Sequence, residues 1–264
     1  MKKYYKLALM FFILMILAFL ISIVSIVLTC TINPLWSLLL IIGLIMVVSM
    51  YLFYKINIHK VKPDIPYYLY QNGISIKYQY EPSFTQMGNI LNKSKLINNS
   101  SDLIKEVYDS VEGTFEKIPY TLFDFSCSDP NDEYNIKGTC FRIKLNNQFN
   151  TNIILKQKKN YIAYEGTNLN ILVTDSTKFN DYFIVKADNH YEAVKIFSWD
   201  TMGSLLKLSS KYESFALSII NEYIYVIIDD KKHFKPSIFG YKVFLNDFNR
   251  LIGLVSGIVD AFKK

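Results

Sequence analysis

The sequences LALMFFILMILAFLISIVSIVLT, residues 7–29, and LWSLLLIIGLIMVVSMYLFY, residues 35–54, decide the predicted fold class. Neither contains a charged residue, and as helices they would extend about 35 Å and about 30 Å. A hydrocarbon core about 30 Å thick is crossed by about 20 mainly apolar residues. The two stretches therefore predict a transmembrane helical hairpin in residues 1–62.

A secretory signal peptide is the alternative interpretation of the first stretch, because three lysines precede it. The apolar region of a signal peptide is about 7–15 residues long and ends at a cleavage site of small residues. The apolar stretch here is longer, and residues 30–34 lead directly into the second one. The sequence favours two spans over a cleaved leader.

The connector of the hairpin, residues 30–34, is too short to form more than a turn, so both outer ends lie on one side of the membrane. Lysines flank these ends and are absent from the connector, which the positive-inside rule assigns to a cytoplasmic location of both termini. The predicted location is the cell (inner) membrane, as a multi-pass protein with the lipid bilayer as a partner. Residues predicted to anchor the hairpin are Lys2, Lys3, Lys6, Trp36, Tyr51, Tyr54, Lys55, Lys60 and Lys62.

The net charge of +6 belongs to the first 62 residues. Six of the 29 basic residues lie there without any acidic residue, so residues 63–264 hold 23 basic and 23 acidic residues. A neutral domain lacks the basic surface that is typical of nucleic-acid-binding proteins. The composition therefore argues against a nucleic-acid partner.

Three cysteines are too few for a disulfide-stabilised fold. Cys127 and Cys140 lie in two strand-like runs on either side of a polar turn, where they could face each other. In a cytoplasmic domain, reduced thiols packed as small apolar groups are favoured over a redox pair. Whether the two cysteines pair is left open.

Residues 63–264 predict one cytoplasmic α+β domain of mainly antiparallel strands. Asn72-Gly73 is typical of a tight hairpin turn, while residues 91–107 give a weak helical pattern. Aromatic and β-branched runs separated by turn residues predict further strands. These strands cover residues 114–127, 135–145, 152–158, 161–164, 182–187, 215–220 and 223–228.

Two helices complete the predicted domain. Asn189 and Glu192 have the spacing of a capping box, which predicts a helix over residues 191–207 that restarts near Asp200. Residues 245–262 carry apolar side chains at steps of three and four, the pattern of an amphipathic helix. Packing on the domain's own sheet is favoured over contact with a partner or a membrane, because the polar side is not rich in lysine and arginine.

Several short motifs resemble a bacterial family of uncharacterised two-span membrane proteins, the domain-of-unknown-function 3137 family. They are YFIVKAD at residues 182–188, EA at 192–193, LL at 205–206, SF at 214–215, YIYVI at 223–227 and HF at 233–234, preceded by EG at 112–113 and KGT at 137–139. Val194 and Lys235 depart from the arginine and the acidic residue expected after EA and HF. The resemblance implies the architecture but no activity, cofactor or catalytic residue.

Motifs that carry chemistry are scarce. The sequence has no GxGxxG, no phosphate-binding loop, no HExxH and no GxSxG. The acidic turn at residues 129–133 could gather around a cation, but a solvated turn is favoured. Asp188, His190 and Glu192 form a weak functional cluster at a helix start, where helix capping explains the acidic residues equally well.

These observations predict a membrane-anchored cytoplasmic binding or scaffold module of unknown ligand, with no catalytic residue, metal ligand or cofactor assigned. One alternative is a membrane-bound enzyme that uses the Asp188, His190 and Glu192 cluster. A second alternative is an accessory subunit of a transporter, although neither span contains an ionisable residue. The partner, whether a protein or a small molecule, and the oligomeric state are left open.

Overall fold

The computed structural model describes residues 13, 16, 17, 20, 44, 46–49, 51, 52, 76–79, 81–97, 104–128, 135–159, 169–228 and 241–263. The chain divides into two compact units. The first contains residues 1–72 and 235–246, and the second contains residues 73–234 and 247–264. The second unit holds the sheet. The predicted domain boundary after residue 62 stays a prediction.

The prediction of a two-helix transmembrane hairpin is corrected. In the described parts of the chain, no helix is long and apolar enough to cross a membrane. Among the helices whose bounds are described, the longest is Tyr241–Phe262, and it contains several charged residues, each of which is costly inside a bilayer. This finding contradicts the hairpin and the multi-pass inner-membrane location with cytoplasmic termini. Most of the two predicted spans lies outside the described residues.

A nine-stranded antiparallel sheet forms the second unit, with the strand order β1-β2-β3-β4-β9-β8-β5-β7-β6. Antiparallel strands agree with the sequence-based expectation for this part of the chain. The strands are β1 Ile76–Gln79, β2 Ile104–Phe115, β3 Ile118–Ser128, β4 Asn135–Lys144, β5 Ile153–Gln157, β6 Asn170–Leu172, β7 Phe183–Ala187, β8 Phe215–Ile220 and β9 Tyr223–Ile228.

The structure gives the bounds of five helices, and further helical residues lie between residues 13 and 52. The five helices are α1 Phe84–Ser94, α2 Thr177–Tyr182, α3 His190–Ile196, α4 Trp199–Ser209 and α5 Tyr241–Phe262. Most begin at a side-chain cap, as in α4, where the Ser198 hydroxyl accepts a hydrogen bond from the Thr201 N–H. Such caps satisfy N–H groups that have no partner within the helix.

One face of the sheet packs against α1. The β3 residues Phe123, Phe125 and Cys127 lie on this face because alternate residues of a strand point to the same side. Met87 and Leu91 of α1 cover them and are fully buried. Both Cys127 and Cys140 are free thiols in this core, so the prediction of reduced, packed cysteines is confirmed. Burial raises the pKa of the Cys127 thiol to about 12 and also raises the pKa of Cys140.

Helix α5 has the amphipathic character that its sequence predicts. Its apolar stripe is buried, including Phe248, Val255, Ile258 and Val259. The end of α5 contacts α4, because the Thr201 hydroxyl donates a hydrogen bond to the Ala261 carbonyl at 3.1 Å. The stripe is thus buried against the rest of the chain, with described contacts to α4, while the predicted packing on the sheet itself stays a prediction.

Several predicted elements differ from the observed ones. The continuous strand predicted over residues 114–127 is interrupted by a tight turn at Glu116 and Lys117, whose φ angles are 49° and 70°. Positive φ at both turn residues is typical of a type I′ hairpin, although glycine and asparagine usually occupy it. The weak helix predicted over residues 91–107 is confirmed only at residues 91–94, the last turn of α1, and is wrong at residues 104–107, where β2 begins.

Other differences concern residues 160–240. The helix predicted over residues 191–207 is two helices, α3 and α4, as the expected restart suggested. The sequence did not predict β6 or α2. The predicted strand at residues 161–164 and the hairpin turn at Asn72-Gly73 lie outside the described residues.

Candidate functional site

A cleft of about 210 Å³ lies in the second unit, where the β4–β5 loop meets the ends of three helices. Asparagine, glutamine and phenylalanine side chains come from the loop, an ion pair and an isoleucine come from α3, and the remainder come from α4 and α5. The lining residues are Asn147, Gln148, Phe149, Asn150, Glu192, Lys195, Ile196, Thr201, Ala261 and Phe262.

The turn between β8 and β9 holds the first half of the β4–β5 loop in place. The Leu145 N–H donates to the Glu222 carbonyl at 2.9 Å, and the Phe149 N–H donates to the Asn221 carbonyl at 3.0 Å. Asn221 has a φ of 55°, a conformation that asparagine tolerates better than most residues. These backbone bonds fix the loop that carries the amide side chains of the cleft.

Asp188 holds the second half of the loop. Its carboxylate accepts hydrogen bonds from the Asn152 N–H at 2.8 Å, from the Asn152 side-chain amide at 2.6 Å and from the Thr151 hydroxyl at 2.8 Å. Desolvation acts to raise the pKa of the Asp188 carboxyl, but these hydrogen bonds outweigh it and hold the pKa below its usual value. Asp188 therefore joins the end of β7 to the start of β5.

Glu192 faces the cleft because the capping box is only half formed. The Asn189 side chain accepts a hydrogen bond from the Glu192 N–H at 3.3 Å, which confirms the predicted N-cap. The Asn189 N–H donates to the Thr151 hydroxyl. In a complete capping box this N–H would donate to the side chain of the glutamate. The Glu192 carboxylate instead accepts a hydrogen bond from Lys195 Nζ at 2.7 Å. This hydrogen bond raises the pKa of Lys195.

The first turn of α4 and the last turn of α5 form the wall opposite the loop. Thr201 is 2% exposed, and its hydroxyl donates to the Ala261 carbonyl. Phe262 follows directly and is also buried. Together with the partly buried Ile196 and Phe149, it gives the cleft an apolar side.

The chemistry of the cleft suits a small polar molecule. Asn147, Gln148 and Asn150 bring amide groups, which contain both donors and an acceptor, to the lining, and Asn147 also interacts within the protein. Glu192 and Lys195 add one negative and one positive charge, so the charges in the lining balance. In the described part of the chain, no group of three or more His, Cys, Asp or Glu side chains could hold a metal ion.

The structure separates the cluster predicted from the sequence. Glu192 lines the cleft, while Asp188 is bound in the loop network and His190 is an exposed residue at the start of α3. Among the predicted anchoring residues, Tyr51 is helical and 59% exposed. The other anchoring residues and the acidic turn at 129–133 lie outside the described residues.

Sequence reasoning missed the amide residues and Lys195. Residues 146–151 lie between the predicted strands at 135–145 and 152–158, and this position alone does not indicate a cleft. Lys195 follows Glu192 by three residues in a predicted helix, so the pair could have been found from its spacing alone. The contribution of Thr201 and Phe262 depends on how α4 and α5 meet, for which the sequence has no local pattern.

The cleft lies in a part of the chain that is similar to a known sequence family. Residues 134–264 match the family described as "Protein of unknown function (DUF3137)". This match shows that residues 134–264 are similar to DUF3137. It also supports the resemblance found in the sequence, except for the EG motif at residues 112–113, which lies before the matched part. Every residue that lines the cleft lies in the part that matches DUF3137.

No curated protein matches the chain. Among solved structures, the crystal structure of the mycobacterial trehalose monomycolate transport factor A, TtfA, has a TM-score of 0.47 and 11% sequence identity. The matched part covers 70% of this chain and 86% of the TtfA chain. A similarity this distant supports no statement about function.

Proposed function

We propose that this domain binds a small polar molecule in the cleft between the β4–β5 loop, α3, α4 and α5. The observation that carries the proposal is the convergence of three amide side chains, one ion pair and an apolar side on one cleft. Binding sites usually combine an apolar lining with a few well-placed polar groups. Its volume of about 210 Å³ is below the range of drug-sized sites, which favours a ligand of small size.

The lining favours binding over reaction. Nucleophilic catalysis needs a nucleophile within hydrogen-bond reach of a base. The cleft is lined by no serine, cysteine or histidine, and the hydroxyl of Thr201 is directed to the Ala261 carbonyl. The enzyme alternative required Asp188, His190 and Glu192 to act together, and of these only Glu192 lines the cleft.

A ligand screen with a blocked cleft tests the proposal. The full chain would be screened by thermal unfolding against small neutral, zwitterionic and charged metabolites, and each hit would be measured by calorimetry. Asn150→Trp places a bulky ring at the rim of the cleft. Asn146→Trp is the matched control, because Asn146 is exposed in the same loop but does not line the cleft.

We expect at least one compound to raise the unfolding temperature of the unmodified chain, because a ligand that binds only the folded state stabilises it. The same compound should stabilise Asn146→Trp and fail to stabilise Asn150→Trp. Equal binding to both variants would place the ligand elsewhere. The absence of any hit across the screen would count against the proposed function.

A further inference from the structure

A second group of polar side chains lies on the sheet face that α1 covers only in part. Arg142 and Lys144 are two residues apart on β4 and therefore point to the same side. The Arg142 guanidinium carbon lies 5.7 Å from the centre of the Tyr223 ring, and Lys144 Nζ lies 5.8 Å from it. One aromatic ring on β9 thus has two cations beside it.

Arg142 and Lys144 together have more positive charge than the one carboxylate described beside them can balance. Lys144 has a carboxylate partner, since its Nζ lies 3.1 Å from a Glu222 carboxylate oxygen. Arg142 forms no ion pair with any acidic side chain in the described residues, although it is partly buried on a central strand of the sheet. A partly buried cation without a counter-ion is unusual, because the loss of hydration is not offset by an opposite charge.

The hydrogen bonds of Arg142 are also incomplete. A guanidinium has five N–H donors, and Arg142 uses one nitrogen, Nη2, to donate to the Thr121 hydroxyl at 3.1 Å. The structure describes no other hydrogen bond of this guanidinium, and the residue is partly exposed, so donors are left for a ligand. A guanidinium edge of this kind can bind two oxygens of a carboxylate or phosphate group at once.

The surroundings hold the Arg142 side chain in position before any ligand arrives. Thr121 on β3 and Tyr225 on β9 are its register partners on the two neighbouring strands, and both are buried. Burial raises the pKa of Tyr225 to about 12 while the positive charge of Arg142 acts in the opposite direction, so the guanidinium lies near this ring. An arginine fixed by packing loses little conformational freedom when it binds.

We propose that Arg142 is the centre of an oxyanion-binding site on this face of the sheet, with Lys144 as a second cation and Tyr223 as the ring that positions both. The ligand group is a carboxylate or a phosphate. This site is separate from the cleft, since neither Arg142, Lys144 nor Tyr223 lines it.

Anion titrations of the full chain test the site. Inorganic phosphate and acetate are the two probes, each titrated at constant ionic strength set with chloride and followed through backbone amide NMR signals. About 10 mM of probe would detect a site with a Kd near 1 mM. The signals of β4 and β9 around Arg142 and Tyr223 should shift first. A shift with phosphate alone assigns the site to a phosphate group, and a shift with acetate alone assigns it to a carboxylate.

Three variants identify the groups responsible. Arg142→Gln should weaken binding of the probe at least ten-fold, and Arg142→Lys should restore part of it because the charge is kept while the two-pronged geometry is lost. Lys186→Gln is the matched control, a lysine on β7 of the same sheet that lies outside the group, and it should bind as the unmodified chain does. If Arg142→Gln does not fold, the exposed Lys144→Gln replaces it and should weaken binding several-fold.

Two outcomes would overturn the proposal. One is the absence of any shift with either probe at constant ionic strength. The other is equal binding by Lys186→Gln and by every folded variant of Arg142 and Lys144. Both results are independent of the cleft, because Arg142, Lys144 and Tyr223 do not line it. The Asn150→Trp variant, which blocks the cleft, leaves these three residues unchanged.

Discussion

Helices α4 and α5 pack directly against each other at one point, called the closed point, and line the cleft at another, called the open point. At the closed point, a Cβ on Gly257 would lie 2.6 Å from Leu208 Cδ2, so the two helices pack where one has no side chain. At the open point, the Thr201 hydroxyl bonds to the Ala261 carbonyl, and the cleft lies beside this contact. The closed point therefore depends on the missing side chain of Gly257, whereas the open point depends on the hydroxyl of Thr201.

The largest expected effect comes from adding a methyl group at the closed point. Gly257→Ala should destabilise the fold relative to Gly253→Ala by about 2 kcal/mol, because over-packing of a core costs about 1–3 kcal/mol. Gly253 lies in the same helix with nothing within 4 Å of the position of a Cβ. There the alanine should stabilise the fold by up to about 1 kcal/mol through helix propensity. Urea unfolding of the two variants measures the difference.

Equal stability of the two alanine variants would show that Leu208 moves aside at no cost, and the closed point would then not depend on glycine. Leu208→Ala combined with Gly257→Ala provides the control. Leu208→Ala removes the atoms that a Cβ on residue 257 would meet. The effect of Gly257→Ala in that background should then resemble that of Gly253→Ala.

The next effect concerns the open point. Thr201→Val keeps the size of the side chain but removes the hydroxyl that donates to the Ala261 carbonyl. The buried carbonyl loses its side-chain partner, so we expect a loss of about 1–2 kcal/mol in the free energy of unfolding. Thr177→Val, at an exposed helical position, is the control. A loss of similar size in both variants would mean that valine itself, and not the missing bond, is responsible.

Local patterns in the sequence predicted the local parts of this structure. The strands at residues 215–220 and 223–228 were predicted with their observed bounds, because each is a run of β-branched and aromatic residues on either side of a short turn. The Asn189 N-cap was predicted from a spacing of three residues. The turn at Glu116-Lys117 was missed because its conformation is enforced by the pairing of β2 with β3 and not by its own residue types.

The candidate sites depend on contacts between distant parts of the chain. The cleft joins the loop after β4 with the end of α5, more than a hundred residues later. Arg142 meets Thr121 and Tyr223 only because β4 lies between β3 and β9. Apolar content alone predicted the hairpin of residues 1–62, and no helix in the described residues supports that prediction.

A smaller effect with a defined pH dependence is expected at the loop wall of the cleft. Asp188→Asn should lower the free energy of unfolding by about 1 kcal/mol at neutral pH, a modest value because the carboxylate is partly exposed to solvent. The folded-state pKa of Asp188 lies below its ordinary value of 3.8. Its stabilisation is therefore complete above that ordinary value and is lost as the pH falls through the folded-state pKa.

Urea unfolding should be measured from about pH 6 to about pH 3. The free energies of unfolding of Asp188→Asn and the unmodified chain should differ less at the acid end of this range. Asp181→Asn, an exposed residue near the end of α2, is the matched control and should show no such convergence. A difference that stays constant over this range would mean that the charge of Asp188 does not hold the loop.

The smallest effect on stability, and the sharpest test of the open point, comes from Glu192→Gln. Exposed ion pairs contribute little to folding, so the unfolding midpoint should stay where it is in the unmodified chain. Binding of a cleft ligand should nevertheless weaken about ten-fold, because a neutral amide accepts a weaker hydrogen bond than a carboxylate. Glu213→Gln, an exposed acid outside the cleft, should bind normally. If Glu192→Gln also binds normally, the pair with Lys195 only stabilises α3, and the amide side chains of the loop must supply the specificity.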